Sequence, residues 1–350
     1  MASIEEVARE AGVSITTVSH VFSGKRPVAP ETRRRVLAVA ERLNYRPHRA
    51  ARGLATGRAM TIGLQFPFEG DPLVLNPFFP ELLEGLSAAA AEAGYGFLLI
   101  PASLDARFPL KQTLKERRFD GVIVADPTED STLIPVLVRR RVPLVTVGGR
   151  YLGSTEVPWV DNDHRGGLVQ VMAHLEEQGY KRPALLSSKG GFSYEKDVEE
   201  AFEKEVRARG GEVTIVRADD LSEDQAFRHA LRLLSRSQPP DAIVAAIDRQ
   251  AVGVLRAARE LGLRVPRDLG VAGADDSVLA RHSRPPLTSI RVHTRVLGEV
   301  AVASLLAIVE RSETPPNRIL PADLVPRAST RRVRSSRAKA RKPRGAEPES

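Results

Sequence analysis

The sequence predicts an α/β protein, in which a helical N-terminal head and a short hinge helix precede two subdomains built on doubly wound parallel sheets. Residues 3–22 show two short stretches of helical apolar periodicity with a turn between them. From Met60 onward, short apolar runs alternate with helical segments, which is typical of parallel strands covered by helices on both faces. Eight such runs exceed one compact sheet, and 350 residues leave room for two subdomains and a head.

The first two helices are predicted between Ser3 and Phe22. Ser3 and Glu6 form the S-x-x-E capping box that starts a helix, and apolar residues then recur at helical spacing. Gly12 can take the turn without steric cost, and Ser14 is placed to cap the second helix. Two short helices joined in this way form a helix-turn-helix, whose second helix lies in the major groove of DNA.

A third helix is predicted from about Glu31 to Leu43, and its exposed arginines, beginning with Arg33, face either phosphates or solvent. The following segment, Pro47–Ala55, is too short to be a stable helix alone, and Gly53 weakens it further. We expect it to become helical only when it is docked. Leu54 would then enter a base step of the minor groove or, alternatively, pack on the next domain.

The body of the chain carries the strand pattern. The apolar runs that predict strands are Thr61–Leu64, Phe97–Ile100, Gly121–Ala125, Pro143–Val147, Ala184–Leu186, Val213–Val216, Ala242–Ala245 and Gly270–Ala274. Helical segments such as Pro80–Ala93 lie between most of them. Because ligands bind at the carboxyl ends of parallel strands, we expect a pocket in the cleft between the two subdomains.

The net charge of +8 is unevenly distributed. Residues 1–58 hold 11 Lys and Arg against 5 Asp and Glu, and residues 331–350 hold 8 against 2, so the body between them is slightly acidic. A basic head indicates a polyanionic partner. The basic tail has almost no apolar residues and is predicted to be disordered; it either adds non-specific DNA affinity or only solubilises the chain.

Several function classes are disfavoured by the sequence. No apolar stretch approaches the roughly 18 residues of a membrane span, and the charged N-terminus does not resemble a secretory signal. The absence of cysteine fits a reducing compartment, so we expect a cytoplasmic protein. The common phosphate, dinucleotide, hydrolase and zinc motifs are missing, which predicts no enzyme, cofactor or metal. The polar cluster Asp161-Asn162-Asp163-His164 is interpreted as the cap of a helix that starts near His164.

Motifs along residues 3–330 resemble the lactose- and galactose-repressor family of transcriptional regulators. After the helix-turn-helix, the motifs that carry the resemblance are Thr32-Arg33, Leu43-Asn44-Tyr45-Arg46-Pro47, Asn76-Pro77-Phe78-Phe79, Asp120-Gly121-Val122-Ile123, Asp161-Asn162, Gly262-Leu263-Arg264-Val265-Pro266, Gly273-Ala274-Asp275-Asp276, Pro285-Pro286-Leu287-Thr288-Ser289-Ile290 and Leu324-Val325-Pro326-Arg327-Ala328-Ser329-Thr330. The resemblance implies a homodimeric repressor that binds a near-palindromic operator in double-stranded DNA. A small effector in the cleft of a periplasmic-binding-protein-like domain would change the folding of the hinge on DNA, which is an allosteric coupling.

The resemblance also implies the domain boundaries. The head would span 1–46, the hinge helix and linker 47–58, the effector-binding and dimerisation domain 59–330, and the tail 331–350. Within the large domain, one subdomain would combine 59–160 with 291–320, and the other 161–290 with 321–330.

The resemblance assigns DNA-binding roles by position. The residues that correspond to DNA-binding positions are Ser14, Ile15, Thr16, Thr17, His20, Arg33, Tyr45, Arg49, Arg52 and Leu54. Ile15, Thr16 and His20 occupy base-reading positions, whereas Ser14, Thr17 and Tyr45 match phosphate contacts. His20 stands where the family most often has arginine, so we expect an operator that departs from the commonest one; alternatively, His20 contacts only phosphate.

Four residues correspond to effector-binding positions: Phe79, Asp161, Asp248 and Asp275. Asp275 would bind the effector by hydrogen bonds, and Phe79 would stack on it. Asp248 is interpreted first as a helix cap.

Two positions that usually supply an arginine and an asparagine to this site hold Val198 and Ile247, so a typical sugar effector is not expected. Either the ligand is less polar, or other residues supply the polarity, or ligand control has been lost. The residues considered for that supply are Gln65, Trp159, Asp161 and Arg249. The alternatives to an effector-controlled repressor are a DNA-binding dimer without an effector and, with less support, an exported solute-binding protein.

Overall fold

The structure is a computed structural model, which describes residues 2–23, 26–45, 58–67, 76–101 and 110–332. Most of the predicted hinge, with Arg49, Arg52 and Leu54, lies outside the described residues. The basic tail beyond residue 332 also lies outside them.

The head is the predicted three-helix unit. Its helices are α1 (Ile4–Ala11), α2 (Ile15–Ser23) and α3 (Pro30–Arg42). Both hydrogen bonds of the Ser3–Glu6 capping box are present. Gly12 takes the left-handed conformation (φ 63°) at the end of α1. Val7, Val18 and Val36, one from each helix, are fully buried and form the centre of a small core.

The first lobe is a six-stranded parallel sheet with the strand order β11-β5-β4-β3-β1-β2. Its strands are β1 (Thr61–Gln65), β2 (Gly96–Ile100), β3 (Gly121–Ala125), β4 (Leu144–Val147), β5 (Trp159–Asn162) and β11 (Arg318–Leu320). The helices that cover it are α4 (Phe78–Glu92), α5 (Leu110–Lys115), α6 (Leu133–Arg139) and α12 (Thr294–Arg311).

The second lobe is a six-stranded sheet with the order β12-β10-β9-β8-β6-β7, parallel except for the antiparallel edge pair β10–β12. Its strands are β6 (Pro183–Ser188), β7 (Ile215–Ala218), β8 (Ala242–Ala245), β9 (Gly270–Asp275), β10 (Thr288–Val292) and β12 (Ala322–Val325). Its helices are α7 (His164–Glu177), α8 (Ser193–Ala208), α9 (Glu223–Leu234), α10 (Asp248–Glu260) and α11 (Val278–His282).

The chain crosses between the lobes after β5, after β10 and after β11. The second crossing returns through α12, which packs closely on α4. A Cβ atom at Gly85 would lie 2.0 Å from the carbonyl oxygen of Arg295, and one at Gly298 would lie 2.7 Å from that of Leu82. Only glycine allows the two helices to approach so closely. Their contact fixes the position of α4 and thereby that of Phe78 and Phe79 at its start.

All eight predicted strands are present, with boundaries shifted by at most two residues. Four further strands, β5, β10, β11 and β12, were not predicted. None of the helices in the described part of the chain is long and apolar enough to cross a membrane.

Candidate functional site

Helix α2 presents two different faces. Val18 and Val21 are buried against the other two helices, whereas Ile15 is 48 % exposed and Thr16 is also exposed. His20 lies at the same outward side and is partly exposed. The side chains of Ile15 and Thr16 are therefore accessible to a partner.

Polar contacts fix the start of this helix. The Ser14 hydroxyl accepts a hydrogen bond from the backbone N–H of Thr17 (3.1 Å) and lies 2.9 Å from the Thr17 hydroxyl. Ser14 therefore caps α2, as predicted. Both hydroxyls remain at the N-terminal end of α2, where a phosphate would be favoured by the helix dipole.

Tyr45 and Arg33 occupy contrasting environments. The ring of Tyr45 packs edge-on against Phe22, with 5.7 Å between centroids, and only 9 % of the residue is exposed. Burial raises the pKa of its hydroxyl. Tyr45 is thus part of the head core, while Arg33 is exposed on α3.

A second candidate site is the cleft at the carboxyl ends of both sheets, where the parallel-sheet rule predicts it. The cleft is partly open to solvent, and residues of both lobes line it, as expected of a small-molecule site between two subdomains. Strand ends of the first lobe contribute Asp126, Gly148 and Asn162, and strand ends of the second lobe contribute Ile247 and Asp275. Further polar and aromatic side chains in its wall are Asn76, Phe78, His164 and Tyr194.

Two carboxyl groups from opposite lobes share the cleft. Burial raises the pKa of Asp126 well above its usual range, and the nearby carboxyls of Asp161 and Glu195 add to this. Burial likewise raises the pKa of Asp275, with contributions from three carboxyls that include Asp248 and Asp126. The cleft therefore favours neutral carboxyl groups unless a cation approaches them.

The entry to α7 forms one wall. The carboxylate of Asp163 accepts a hydrogen bond from the N–H of Gly166 (2.8 Å), so the prediction of a helix cap in this cluster is confirmed. Asp161 is fully buried, and its Oδ1 lies 3.0 Å from Nε2 of His164, which it orients. Asn162 is 4 % exposed, and neither side-chain atom has a hydrogen-bond partner among the described residues.

The predicted effector residues occupy different places. Asp275 lines the cleft, and Asp161 lies behind His164. Phe79 is 1 % exposed and packs edge-on against Phe66 and Phe78, and the ring in the cleft wall is that of Phe78. Phe79, which was predicted to stack on the effector, is therefore not among the described residues that line the cleft, whereas its neighbour Phe78 is.

Asp248 does not cap its own helix, so that interpretation is wrong. Helix α10 already begins at Asp248, and no side chain caps it. The Asp248 carboxylate instead accepts hydrogen bonds from the Ser277 N–H and hydroxyl (2.8 Å each) and from the Ser289 hydroxyl (2.6 Å). Burial raises its pKa to about 7. Its partners lie on distant segments, and local spacing cannot reveal them.

The two departures from the family pattern have different consequences. Ile247 lines the cleft, whereas Val198 is buried in the core. The four residues considered as substitutes, Gln65, Trp159, Asp161 and Arg249, are not among the described residues that line the cleft. Gln65 donates to the carbonyl of Pro101 (3.0 Å).

Sequence reasoning missed several wall residues. One of them could have been found, because Asp126 directly follows a predicted strand and the carboxyl ends of parallel strands carry ligands. Asn162 was considered as part of a capping cluster and of a family motif, and His164 only as part of that cluster, since β5 had not been predicted. No local sequence pattern predicts that Tyr194 lies in the cleft wall.

Comparison with known proteins agrees with both sites. Residues 3–48 match the family model of bacterial regulatory proteins of the lacI family, and residues 172–330 match that of the periplasmic binding protein-like domain. The transcriptional regulator CelR of Thermobifida fusca is 33 % identical over 323 residues, which cover 91 % of this chain and 95 % of that protein. The chain belongs to the lacI family.

Other relatives and solved structures extend this result. The HTH-type transcriptional repressor PurR of Photobacterium profundum is 31 % identical over 89 % of this chain and 92 % of its own length. The lac repressor dimer bound to operator and the anti-inducer ONPF superposes with a TM-score of 0.76 at 27 % identity, covering 94 % of this chain and 99 % of that one. A CelR–cellobiose complex superposes with a TM-score of 0.72 at 31 % identity, covering 94 % of this chain and all of that one. This lacI-family chain is a DNA-binding transcriptional regulator with a repressor-type architecture.

Proposed function

We propose that this lacI-family regulator is a homodimeric repressor, which binds a near-palindromic operator and responds to a small molecule in the cleft between its lobes. The observation that supports this most is the combination, in one chain, of an outward-facing α2 with a cleft whose walls come from both lobes. A ligand that contacts both walls favours the closed arrangement of the lobes, so its binding shifts their equilibrium. That shift would reach the operator through the hinge.

The DNA contacts follow from the exposed face of α2. Ile15, Thr16 and His20 would meet base edges in the major groove. A histidine offers about one good hydrogen bond per ring edge, whereas arginine forms two to guanine, so the base preference opposite His20 would be unusual. The backbone contacts proposed beside them involve Ser14, Thr17, Arg33 and Tyr45, and the proposed hinge contacts involve Arg49, Arg52 and Leu54.

The effector site is proposed for the cleft. Among the described residues that line it, Asp126 and Asp275 are acidic and none is Lys or Arg, so phosphorylated or carboxylated ligands are disfavoured. Cellobiose, which the related CelR holds in its solved complex, is therefore the first neutral candidate. A second candidate function, a regulator without an effector, is favoured by the apolar Ile247 in the wall.

The test begins with the full-length protein and a random pool of double-stranded DNA. Selection of bound sequences should yield two related half-sites, and sedimentation should give a dimer on that operator. Operator affinity is then measured by fluorescence anisotropy at one fixed salt concentration, with and without cellobiose and other small saccharides. A selection without any enriched sequence would contradict the DNA-reading role.

Ligand control is tested separately by thermal unfolding. A ligand at a hundredfold excess over its dissociation constant stabilises the folded protein by about 2.7 kcal/mol, which is readily measured. If no small molecule changes either the melting temperature or the operator affinity, the effector-free regulator is the better description.

A further inference from the structure

We propose that the cleft takes a small ligand that carries a protonated amine, such as an aminosugar, with the ammonium group held between the carboxyl groups of Asp126 and Asp275. This inference rests on the effector-controlled function proposed above and specifies the chemistry of its ligand. Four features of the cleft support it.

The two carboxyl groups approach the same space from opposite lobes. Asp126 follows β3 of the first lobe, and Asp275 ends β9 of the second. Both have left-handed backbone conformations, with φ of 42° and 104°, which the surrounding fold must impose. A Cβ atom at Gly148 would lie 2.3 Å from Oδ1 of Asp126, so the glycine makes room for this carboxyl.

The arginines beside the cleft are occupied elsewhere. Arg150, two residues after Gly148, donates to Asp197 on α8 (2.8 Å), and Arg165 donates to the same carboxylate (2.7 Å). Asp161, which lies 3.9 Å from Arg150, also pairs with His164. No Lys or Arg is among the described lining residues, and His164, which does line the cleft, pairs with Asp161.

The charged groups that shift the pKa values of these two carboxyls are acidic. Asp161 and Glu195 act on Asp126, and Asp248 and Glu81 act on Asp275. Each of them opposes ionisation of the cleft carboxyls, and so does burial. A ligand ammonium supplies the missing positive charge and favours the ionised form of these carboxyls.

Asn162 and the aromatic rings complete the site. The Asn162 amide is nine-tenths buried and lines the cleft, and its nitrogen and oxygen have no partner among the described residues. It can donate to and accept from a hydroxyl group of the ligand at the same time. The rings of Phe78 and Tyr194 also line the cleft and contribute apolar surface to it.

The experiment compares ligands that differ only in charge. Cellobiose, the glucosamine disaccharide chitobiose and diacetylchitobiose share one linkage and carry a hydroxyl, an ammonium or an acetamide group at the same carbon. Putrescine and butanediol form a second matched pair. Binding to the full-length protein is measured by calorimetry and thermal shift at neutral pH, and we expect the amine of a pair to bind at least about tenfold more tightly.

Variants locate the effect within the cleft. Asp126→Asn and Asp275→Asn should each remove most of the preference for the amine, while Glu313→Gln, the same type of change at an exposed site, should leave it unchanged. The comparison of amine with neutral ligands uses the wild-type protein alone, so it remains a valid test even if a variant fails to fold.

The outcomes separate this inference from the function on which it rests. If the neutral members bind as tightly as the amines, or if no amine binds, the ammonium site is wrong although effector control by a neutral ligand stands. If the amines bind equally well to wild-type protein, Asp126→Asn and Asp275→Asn, the site is also wrong. Loss of specific operator binding by the wild-type protein would instead overturn the proposed function.

Discussion

Two apolar residues of α2 that differ in burial provide a sharp test of how the head works. Ile15 is 48 % exposed, and Val18, one turn later, is fully buried. Substitution of each by alanine removes aliphatic carbons from the same helix. The first change should affect DNA binding, and the second should affect stability.

The magnitudes follow from the number of carbons and their burial. Val18→Ala removes two buried carbons at about 0.8 kcal/mol each and leaves a small cavity, so the head should lose about 2 kcal/mol of unfolding free energy. Ile15→Ala removes three carbons that are about half exposed. If DNA covers that exposed half, operator binding should weaken by about 1 kcal/mol, or about fivefold, with little loss of stability.

The assay uses the full-length protein and the selected operator. Circular dichroism follows unfolding, and fluorescence anisotropy at low temperature, where both variants are folded, measures operator affinity. The reasoning is refuted if Ile15→Ala binds the operator as tightly as wild type, or if Ile15→Ala is destabilised as much as Val18→Ala.

Three further predictions concern the cleft and its frame. Gly148→Ala should lower the unfolding free energy by about 1–2 kcal/mol, because Gly148 has a left-handed backbone (φ 77°). It should also displace Asp126 and so abolish ligand binding. Gly179→Ala is the control in urea unfolding, since Gly179 has a φ of 82° and nothing within 4 Å of its Cβ, so that this change measures the backbone cost alone. The pKa of Asp248 is near 4 in the unfolded chain and about 7 in the folded protein, so the unfolding free energy should fall as the pH rises between these values. Asp248→Asn should flatten this dependence of the unfolding free energy on pH. Arg150→Met removes the hydrogen bond from Arg150 of the first lobe to Asp197 of the second lobe. Chemical unfolding at neutral pH should show a loss of about 1–3 kcal/mol of unfolding free energy. An unchanged unfolding midpoint would show that this hydrogen bond does not stabilise the protein.

The parts of the fold that could be predicted are those with a strong local pattern. The capping box at Ser3, the turn at Gly12 and the eight apolar strands each depend on neighbouring residues, and each is present in the structure. Strand β5, Trp159–Asn162, was missed because two of its four residues are polar. Its polar end faces the cleft, so the same feature that hid the strand marks the site.

The candidate site was harder to predict because tertiary contacts decide it. Sequence alone could not say which ring of the Phe78–Phe79 pair faces the cleft, since the tilt of α4 depends on its packing against α12. It also could not foresee that Asp248 binds Ser277 and Ser289, which lie 29 and 41 residues further along the chain. The carboxyl-end rule, applied to every predicted strand, would have found Asp126.

The most direct test of the central claim, that α2 reads base edges, is a parallel selection of operators with wild-type protein and His20→Arg. The account predicts two half-sites for both proteins and a change in base preference at one position in each half-site, worth about 1–3 kcal/mol. Wild-type His20 should disfavour the guanine that arginine selects. Identical sequence preferences for the two proteins would contradict the assignment of His20 to base reading.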